Sequence, residues 1–286
     1  MNRRELAFYV VISVLLALSL VSSVHAAEFK LTASDGAADD EFGYSVAIDG
    51  EYALVGAYGD DDNGNYSGSA YVFKRDGSSW TQQAKLVASD GAAGDYFGYS
   101  VAIDGEYSLV GAYGDDDNGS TSGSAYVFKR DGSSWTQQAK LVASDGAAGD
   151  YFGYSVALDG EYALMGAFLD DDKGSKSGSA YVFKRDGSSW TQQAKLIASD
   201  GAADDEFGYA VALDGEYALV GARQDGDKGT NSGSAYVFKR DGSSWTQQAK
   251  LVASDGAVDD YFGYSVAIDG EYALVGAYRD DDKGTN

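Results

Sequence analysis

The sequence contains no cysteine and no proline, and its single histidine is His25. Without cysteine the chain has no disulfide framework, no thiolate nucleophile and no cysteine-based zinc site. Residues 1–26 have the features of a removable leader, so the mature chain also lacks histidine. Ser-His-Asp and Cys-His catalysis are thereby excluded, and carboxylates, lysine, tyrosine and serine remain as candidate catalytic groups.

Positive charge is also scarce. The chain has 21 lysine and arginine residues against 45 aspartate and glutamate residues, for a formal net charge of −24. Nucleic acid and anionic membranes bind to basic surfaces, so neither is an expected partner. Aromatic residues are abundant, with 22 tyrosines, 12 phenylalanines and 4 tryptophans, and this content excludes a disordered chain.

The first 26 residues predict a secretory signal peptide. Arg3 and Arg4 precede a largely apolar stretch over residues 7–24, and small residues flank the expected cleavage point between Ala26 and Ala27. An uncleaved signal anchor is the alternative, because about 18 apolar residues approach the length that spans a bilayer. After cleavage we expect no membrane span and a secreted, extracellular or cell-surface location, with the periplasm as the alternative.

The rest of the chain, 27–286, consists of repeats. A Phe-Gly pair recurs every 55 residues, and its phenylalanines are Phe42, Phe97, Phe152, Phe207 and Phe262. Four full units run 31–85, 86–140, 141–195 and 196–250, and a fifth, 251–286, is incomplete. The near-identity of the copies predicts a repeat architecture.

Each unit predicts four short antiparallel strands. In the first unit they cover 42–48, 51–58, 68–74 and 80–88, with turn dipeptides at 49–50 and 76–77 and an acidic loop over 59–67. Four strands in a unit of about 50 residues are typical of a β-propeller blade, so we expect an all-β propeller whose last blade is incomplete. A parallel β-helix, which has shorter coils, is the alternative.

The residue alternation in the first strand predicts how neighbouring sheets pack. Phe42, Tyr44, Val46 and Ile48 share one side, and small residues share the other. We therefore assign these large residues to the core between sheets rather than to a ligand site. The same structural role is expected for the tryptophan that begins each fourth strand, namely Trp80, Trp135, Trp190 and Trp245.

A Gly-Ala pair follows each Phe-Gly pair after a spacer, beginning at Gly56, Gly111, Gly166, Gly221 and Gly276. This combination resembles the FG-GAP repeat family, which includes integrin α-subunit propellers and bacterial secreted proteins. The resemblance covers 28–286 and implies an extracellular β-propeller that binds or adheres. In the family the third motif residue is usually proline, whereas here it is Tyr58, Tyr113, Phe168, Arg223 or Tyr278.

The calcium loop of integrin-type repeats lies between the first and second strands. Here that connection is only Asp49-Gly50-Glu51 or its equivalent, which offers fewer oxygens than the six to eight that calcium takes. The turn aspartates are therefore expected to contribute nothing to a metal site; they are Asp49, Asp104, Asp159, Asp214 and Asp269.

Both ends of the sequence bear on ring closure. Residues 27–34 match the end of a fourth strand, and 283–286 match 228–231, which lead into a third strand. We expect that the chain is cut within a loop and that the complete protein has more blades. With these residues alone, a ring would have to close through the N-terminal strand.

Most acidic residues fall in the fourth-to-first and second-to-third connections, which emerge at one end of an antiparallel meander. The repeats differ mainly in the second-to-third loops, which indicates either a recognition face or tolerated drift. If the loops bind calcium, aspartates two apart are the best ligands because they converge in a turn. They are Asp60, Asp62, Asp115, Asp117, Asp170, Asp172, Asp280 and Asp282. A solvated surface and diffuse cation accumulation are the alternatives, and no cofactor other than calcium is a candidate.

We expect no enzymatic activity, because the carboxylates repeat with the units whereas a catalytic pair needs one asymmetric site. The expected function is that of a secreted binding or adhesion propeller that recognises an extracellular protein or glycan through its acidic loops. The alternative is a structural repeat segment of a larger cell-surface or matrix protein, with calcium as a candidate stabiliser.

Overall fold

A computed structural model of the chain describes residues 28–281. The chain divides into two units, 1–30 and 31–286, and the strands of the described residues belong to the second. The predicted signal peptide, with its cleavage point at Ala26 and Ala27, lies outside the described residues, and so does Asp282. The described residues include no helix that is long and apolar enough to cross a membrane.

The strands form five antiparallel sheets, each in sequence order. The first sheet holds β1 (Val46–Asp49), β2 (Tyr52–Ala57), β3 (Ser69–Asp76) and β4 (Ser79–Leu86). The second holds β5 (Ser100–Asp104), β6 (Tyr107–Ala112), β7 (Ser124–Asp131) and β8 (Ser134–Leu141). The third holds β9 (Ser155–Asp159), β10 (Tyr162–Ala167), β11 (Ser179–Asp186) and β12 (Ser189–Leu196). The fourth holds β13 (Phe207–Asp214), β14 (Tyr217–Ala222), β15 (Ser234–Asp241) and β16 (Ser244–Leu251), and the fifth holds β17 (Phe262–Asp269) and β18 (Tyr272–Ala277).

These sheets confirm the all-β fold and the repeated four-stranded antiparallel unit. The first strand, however, begins later than predicted in the first three units, at Val46, Ser100 and Ser155. The chain turns before it: in the second unit Tyr96 and Gly98 both have positive φ. Phe97, which lies between them, forms an isolated bridge to Gly68 of the preceding unit and is fully buried.

At the three junctions between the complete sheets, consecutive sheets pack face to face through a hydrophobic core. At the first junction Leu54, Val72 and Leu86 of the first sheet meet Phe97 and Ile103 of the second. Trp135 packs on the same core, and its Nε1 donates a hydrogen bond to Gln83 Oε1 at 3.0 Å. The structural role predicted for the tryptophans therefore holds at this position.

The Gly-Ala motif marks the place where neighbouring sheets come closest. A Cβ at Gly56 would collide with the carbonyl oxygen of Gly98 in the next sheet, so only glycine fits there. Ser45 Oγ donates to the same oxygen at 2.8 Å. First strands of consecutive sheets lie against one another, whereas fourth strands make few contacts, so the sheets fan outward from their first strands.

The two ends of this series are not covered in the same way as its interior. Val46 and Ile48 of the first sheet are each 69% exposed, and Tyr272 and Leu274 of the fifth are 80% and 73% exposed. Their interior equivalents, such as Leu54 and Ile103, are buried.

Candidate functional site at the loop end

The acidic connections of neighbouring units are joined into one surface. The second-to-third loop of the first unit binds the fourth-to-first connection of the second through its backbone. Gly94 N donates to Asn65 O at 2.9 Å, and Tyr96 N donates to Tyr66 O at 3.0 Å. The same pattern recurs in later units, and we refer to this surface, formed by 34–45 and 58–68 and their equivalents, as the loop end.

A lysine from the fourth strand lies among the loop-end carboxylates of its unit. Lys85 Nζ donates to Asp35 Oδ2 at 2.8 Å, Asp60 Oδ2 at 2.9 Å and Asp62 Oδ2 at 2.5 Å. The equivalent clusters join Lys140 to Asp90, Asp115 and Asp117, Lys195 to Asp145, Asp170 and Asp172, and Lys250 to Asp200, Asp225 and Asp227. We call these four groups the lysine–aspartate clusters.

In the four complete units, the first aspartate of the acidic loop is an internal structural group. Asp60 is buried; its Oδ1 accepts the backbone N–H of Asp62 at 3.1 Å, and its Oδ2 accepts the Tyr71 hydroxyl at 2.8 Å. Burial acts to raise the pKa of Asp60, but the hydrogen bonds from Lys85 and Tyr71 outweigh it and hold that pKa below its usual value. Because the carboxylates also raise the pKa of Lys85 against its own burial, both partners are charged at neutral pH.

The structure brings the predicted calcium ligands together in pairs, but an ammonium group lies where they converge. Asp90, Asp115 and Asp117 offer oxygens within 4.8 Å of one another, and all three bind Lys140. Calcium would have to displace this lysine and find further oxygens, since it takes six to eight. Specific calcium binding therefore stays a prediction, as does a ligand role for Asp280, while Asp282 is outside the described residues.

Sequence reasoning missed the lysines and the third aspartate of each cluster. A signal was present, because Lys85 and Asp35 recur in phase with the acidic loops. They lie 25 residues after and 25 residues before Asp60 in the chain, respectively, and only the folded hairpins bring the three together. The turn aspartates bind backbone instead: Asp49 Oδ2 accepts the N–H of Gly105 at 2.8 Å.

Tyrosines form a continuous row beside the clusters at the start of the first strands. The rings of this tyrosine row, Tyr44, Tyr99, Tyr154, Tyr209 and Tyr264, follow one another at 4.8 to 5.2 Å between centroids. The Tyr44 hydroxyl lies 2.8 Å from that of Tyr99, which lies 2.9 Å from that of Tyr154. Tyr44 was predicted to lie in the core between sheets, but it is 51% exposed, as are its neighbours Val46 and Ile48 at 69%, because the outer side of the first unit is less covered than the interior.

A second set of side chains lies over this row, at the third position of the FG-GAP-like motif. Tyr58 packs edge-on to Tyr44 at 4.7 Å, and Tyr113 stacks parallel to Tyr96 at 5.0 Å. Where the family usually has proline, this chain thus places rings that widen the aromatic surface. In the second-to-third loop of the first unit, Tyr66 adds another exposed ring 5.7 Å from Tyr96.

Arg223 shows what kind of group this surface accommodates. It replaces the aromatic residue at the third motif position, and its guanidinium carbon lies 3.8 Å from the ring centroid of Tyr209. Its Nε donates to Glu206 Oε2 at 2.5 Å. A planar cation on a tyrosine face, with a carboxylate beside it, is a favourable arrangement for arginine.

A buried aspartate holds each fourth-to-first connection. Asp205 Oδ2 accepts the backbone N–H of Ala202 at 2.7 Å, and Asp95 and Asp150 make the equivalent bond in their units. Burial is the main cause that raises the pKa of these carboxyls, in the case of Asp205 to about 6. They are positioned to fix loop geometry rather than to meet a ligand.

Comparison with known proteins agrees with the repeat structure. The FG-GAP repeat family model matches residues 26–73, 80–128, 135–183, 190–238 and 245–286. No curated protein matches the chain. The matches include all five Phe-Gly and Gly-Ala pairs and cover most of the sequence, so the chain belongs to the FG-GAP repeat family.

Proposed function

We propose that this chain is an extracellular, non-enzymatic binding module whose loop end recognises a cationic segment of a partner protein. The observation that carries the proposal is Arg223, which lies on the Tyr209 ring and pairs with Glu206. An arginine of a partner would find the same combination of ring face and carboxylate at the loop end, where Tyr44 of the tyrosine row and Tyr66 of the first acidic loop are exposed.

The charge distribution supports a cationic ligand. The lysine–aspartate clusters neutralise part of the loop end, but the middle aspartate of each acidic triplet, such as Asp61 and Asp116, remains exposed and outside the clusters. Because the clusters hold the loops on a rigid sheet scaffold, the exposed groups keep a defined spacing. Complementary charge accelerates association and favours the correct partner.

The same proposal includes a propeller arrangement and secretion. Sheets that fan outward from closely packed first strands are arranged as propeller blades are, and this supports the inference although the end faces are open. Secretion rests on the charged and apolar pattern of 1–26. The absence of catalysis rests on the repetition of the same lysine-paired carboxylates in four units.

The structural-segment hypothesis is the second candidate, and the near-identical junctions favour it. The three junctions between complete sheets repeat the same core, so a longer array could be built by adding units without new kinds of contact. In that case the loop end would be a solvated surface with no ligand of its own.

Binding to immobilised peptides tests the proposal. We expect the purified chain to bind an arginine-rich peptide, a lysine-rich peptide less tightly, and a neutral glutamine-rich peptide not at all. Arginine should bind better than lysine because its planar group stacks on tyrosine. Binding should weaken as salt rises, since the exposed charges are screened.

Variants with equal charge changes at the two ends locate the site. We expect the loop-end triple variant Asp61→Asn, Asp116→Asn, Asp171→Asn to lose most of the binding. The control triple variant Asp76→Asn, Asp131→Asn, Asp186→Asn alters exposed turns at the opposite end and should retain it. Equal loss in both variants would reduce the interaction to net charge, and binding of a neutral glycan with no binding of basic peptides would refute the cationic ligand.

A further inference from the structure

Neighbouring rings of the tyrosine row are held in the arrangement that a covalent tyrosine dimer requires. We propose that Tyr99 and Tyr154 form such a dimer, through a carbon–carbon bond between their rings, when a one-electron oxidant acts on the chain. The oxidant class is that of a haem peroxidase supplied with hydrogen peroxide. This modification is independent of any ligand of the loop end, because both reacting groups belong to the chain itself.

The two tyrosines are half-buried residues of the second and third units. The hydroxyl oxygens of Tyr99 and Tyr154 lie 2.9 Å apart, their ring centroids lie 4.9 Å apart, and their ring planes are inclined by 42°. Because the rings are tilted rather than stacked and their hydroxyls are in contact, the Cε atoms beside those hydroxyls adjoin. Proximity of this kind turns an encounter between two reactive groups into a fast step within one molecule.

The coupling balances with hydrogen peroxide alone. Each ring gives one electron and its hydroxyl proton to the oxidant and becomes a phenoxyl radical, whose unpaired electron is shared with Cε. The two radicals couple at Cε, and the hydrogen on each of these carbons then moves to the oxygen, which restores both phenols. In total two C–H bonds break and one C–C bond forms, and the two electrons and two protons reduce one hydrogen peroxide to two water molecules.

The chain contains a matched pair of rings that lacks this arrangement. Tyr96 and Tyr113 are also half-buried, and their centroids are 5.0 Å apart, but their planes are inclined by only 3°. These rings lie face to face, and no hydrogen bond joins their hydroxyls in the described part of the chain. A preference for Tyr99 and Tyr154 over this pair would therefore reflect contact between ring edges, since the distance between ring centres is the same.

Other pairs of the row differ in geometry or in charge. The hydroxyls of Tyr154 and Tyr209 lie 3.3 Å apart, and the Arg223 guanidinium carbon lies 3.8 Å from the Tyr209 ring centroid. Because a nearby positive charge opposes the loss of an electron, Tyr209 should be oxidised less readily. Tyr44 and Tyr99 have the favourable arrangement, with 2.8 Å between their hydroxyls, and should couple as well.

A bond between Tyr99 and Tyr154 would connect the second and third units covalently. The chain has no cysteine, so a disulfide cannot serve this purpose. The two tyrosines are 55 residues apart, and a link that closes a loop of this length restricts the unfolded chain. We therefore expect the link to raise the melting temperature without changing the fold.

Peptide mapping after oxidation tests the assignment. The purified chain, dilute enough to disfavour links between molecules, is treated with a haem peroxidase and hydrogen peroxide and then with trypsin. Trypsin cleaves after lysine and arginine, so Tyr99 lies in the peptide 86–129 and Tyr154 in the peptide 141–173. Mass spectrometry should find these two peptides joined, with a mass two hydrogen atoms below their sum.

Two variants that each remove one hydroxyl separate edge contact from closeness. Tyr99→Phe removes a reacting group, whereas Tyr113→Phe changes a ring 5.6 Å from Tyr154 that lies outside the row and is the control. Circular dichroism verifies that both variants fold. A parallel oxidation of the unmodified chain in denaturant shows what the same tyrosines do without the fold.

We expect the joined peptides from the unmodified chain and from Tyr113→Phe, within a monomeric product that melts at a higher temperature than before oxidation. Tyr99→Phe should lose this pair of joined peptides, and the denatured chain should give it in much lower yield. Oxidation that produces no dityrosine, or only links between molecules, would overturn the proposal. So would joined peptides that persist in Tyr99→Phe or that form equally well in denaturant.

Discussion

Replacement of Lys140 by methionine tests whether the lysine ammonium is what holds the acidic loops. The change keeps the length and most of the apolar stem of the side chain, but it removes the charge that binds Asp90, Asp115 and Asp117. Asp115 would stay buried with hydrogen bonds from the Tyr126 and Ser124 hydroxyls and no opposite charge.

The expected loss of stability in Lys140→Met follows from the burial of the carboxylates that Lys140 binds. Loss of one member of a buried ion pair costs about 3–5 kcal/mol, and the value applies in full only to Asp115, because Asp90 and Asp117 are about half exposed and screened by water. We therefore expect Lys140→Met to lower the free energy of unfolding by about 2–4 kcal/mol. Lys129→Met is the matched control. Lys129 is on the third strand, away from the clusters, and its ammonium lies over the Tyr107 ring. Its replacement should lower the free energy of unfolding by about 1 kcal/mol or less.

Calcium distinguishes the two possible occupants of the cluster. Denaturant unfolding of the unmodified chain in millimolar calcium and in sodium chloride of equal ionic strength should give the same stability, because Lys140 already fills the site. In Lys140→Met, calcium should restore part of the loss through the three freed carboxylates. A large calcium-specific gain in the unmodified chain would refute this reasoning, and so would a Lys140→Met protein as stable as its control.

Three further outcomes are expected. Asp205→Asn should raise the free energy of unfolding at pH 7.5 by about 1–2 kcal/mol and much less at pH 4. The pKa of Asp205 in the native state, about 6, is above its ordinary value, so its ionisation destabilises the native state as pH rises from about 4 to 6. An equal gain in stability at both pH values, measured by thermal unfolding, would contradict this reasoning. Trp135→Ala should lower the free energy of unfolding by about 2–4 kcal/mol, because it empties part of a junction core. Trp80→Ala, at the open face of the first sheet, should lower it by less, and denaturant unfolding measures both. Gly111→Ala should abolish cooperative unfolding or lower the melting temperature sharply, since its Cβ meets the Gly153 carbonyl, whereas Gly276→Ala should leave it unchanged.

The sequence predicted the repeat unit and its strands because their signals are local. Asp-Gly and Gly-Ala dipeptides mark turns and close approaches within a few residues of the strands that they bound. The late start of the first strand could not be predicted in the same way. Phe97 alternates correctly with Val101, yet it pairs with Gly68 of the preceding unit, and Gly98, which lies between Phe97 and Val101, has a positive φ that interrupts the strand.

The strand order predicted where the acidic loops lie but not the ion pairs that they form. The sequence assigned its acidic residues to one surface, whereas the fold pairs three of them in each of four units with a lysine of the fourth strand. The distinction needs atomic positions, because Lys85 and Asp60 are separated by two hairpin strands in the sequence and meet only at one end of the sheet.

The count of 45 acidic residues therefore overstates the number of carboxylates that are free to meet a partner. In each of the four complete units one ammonium lies among three carboxylates, one of them buried, and the pKa of Asp60 is held low so that the group stays charged inside the fold. The exposed groups outside the clusters include the middle aspartates of the triplets, carboxylates of the fourth-to-first connections such as Asp39 and Glu41, and the edges of the tyrosine row. Since the paired charges hold the loops and the unpaired ones face solvent, recognition can change by substitution at Asp61 or Tyr66 without loss of the Lys85 cluster. That separation accounts for loops that differ between units on strands that are nearly identical.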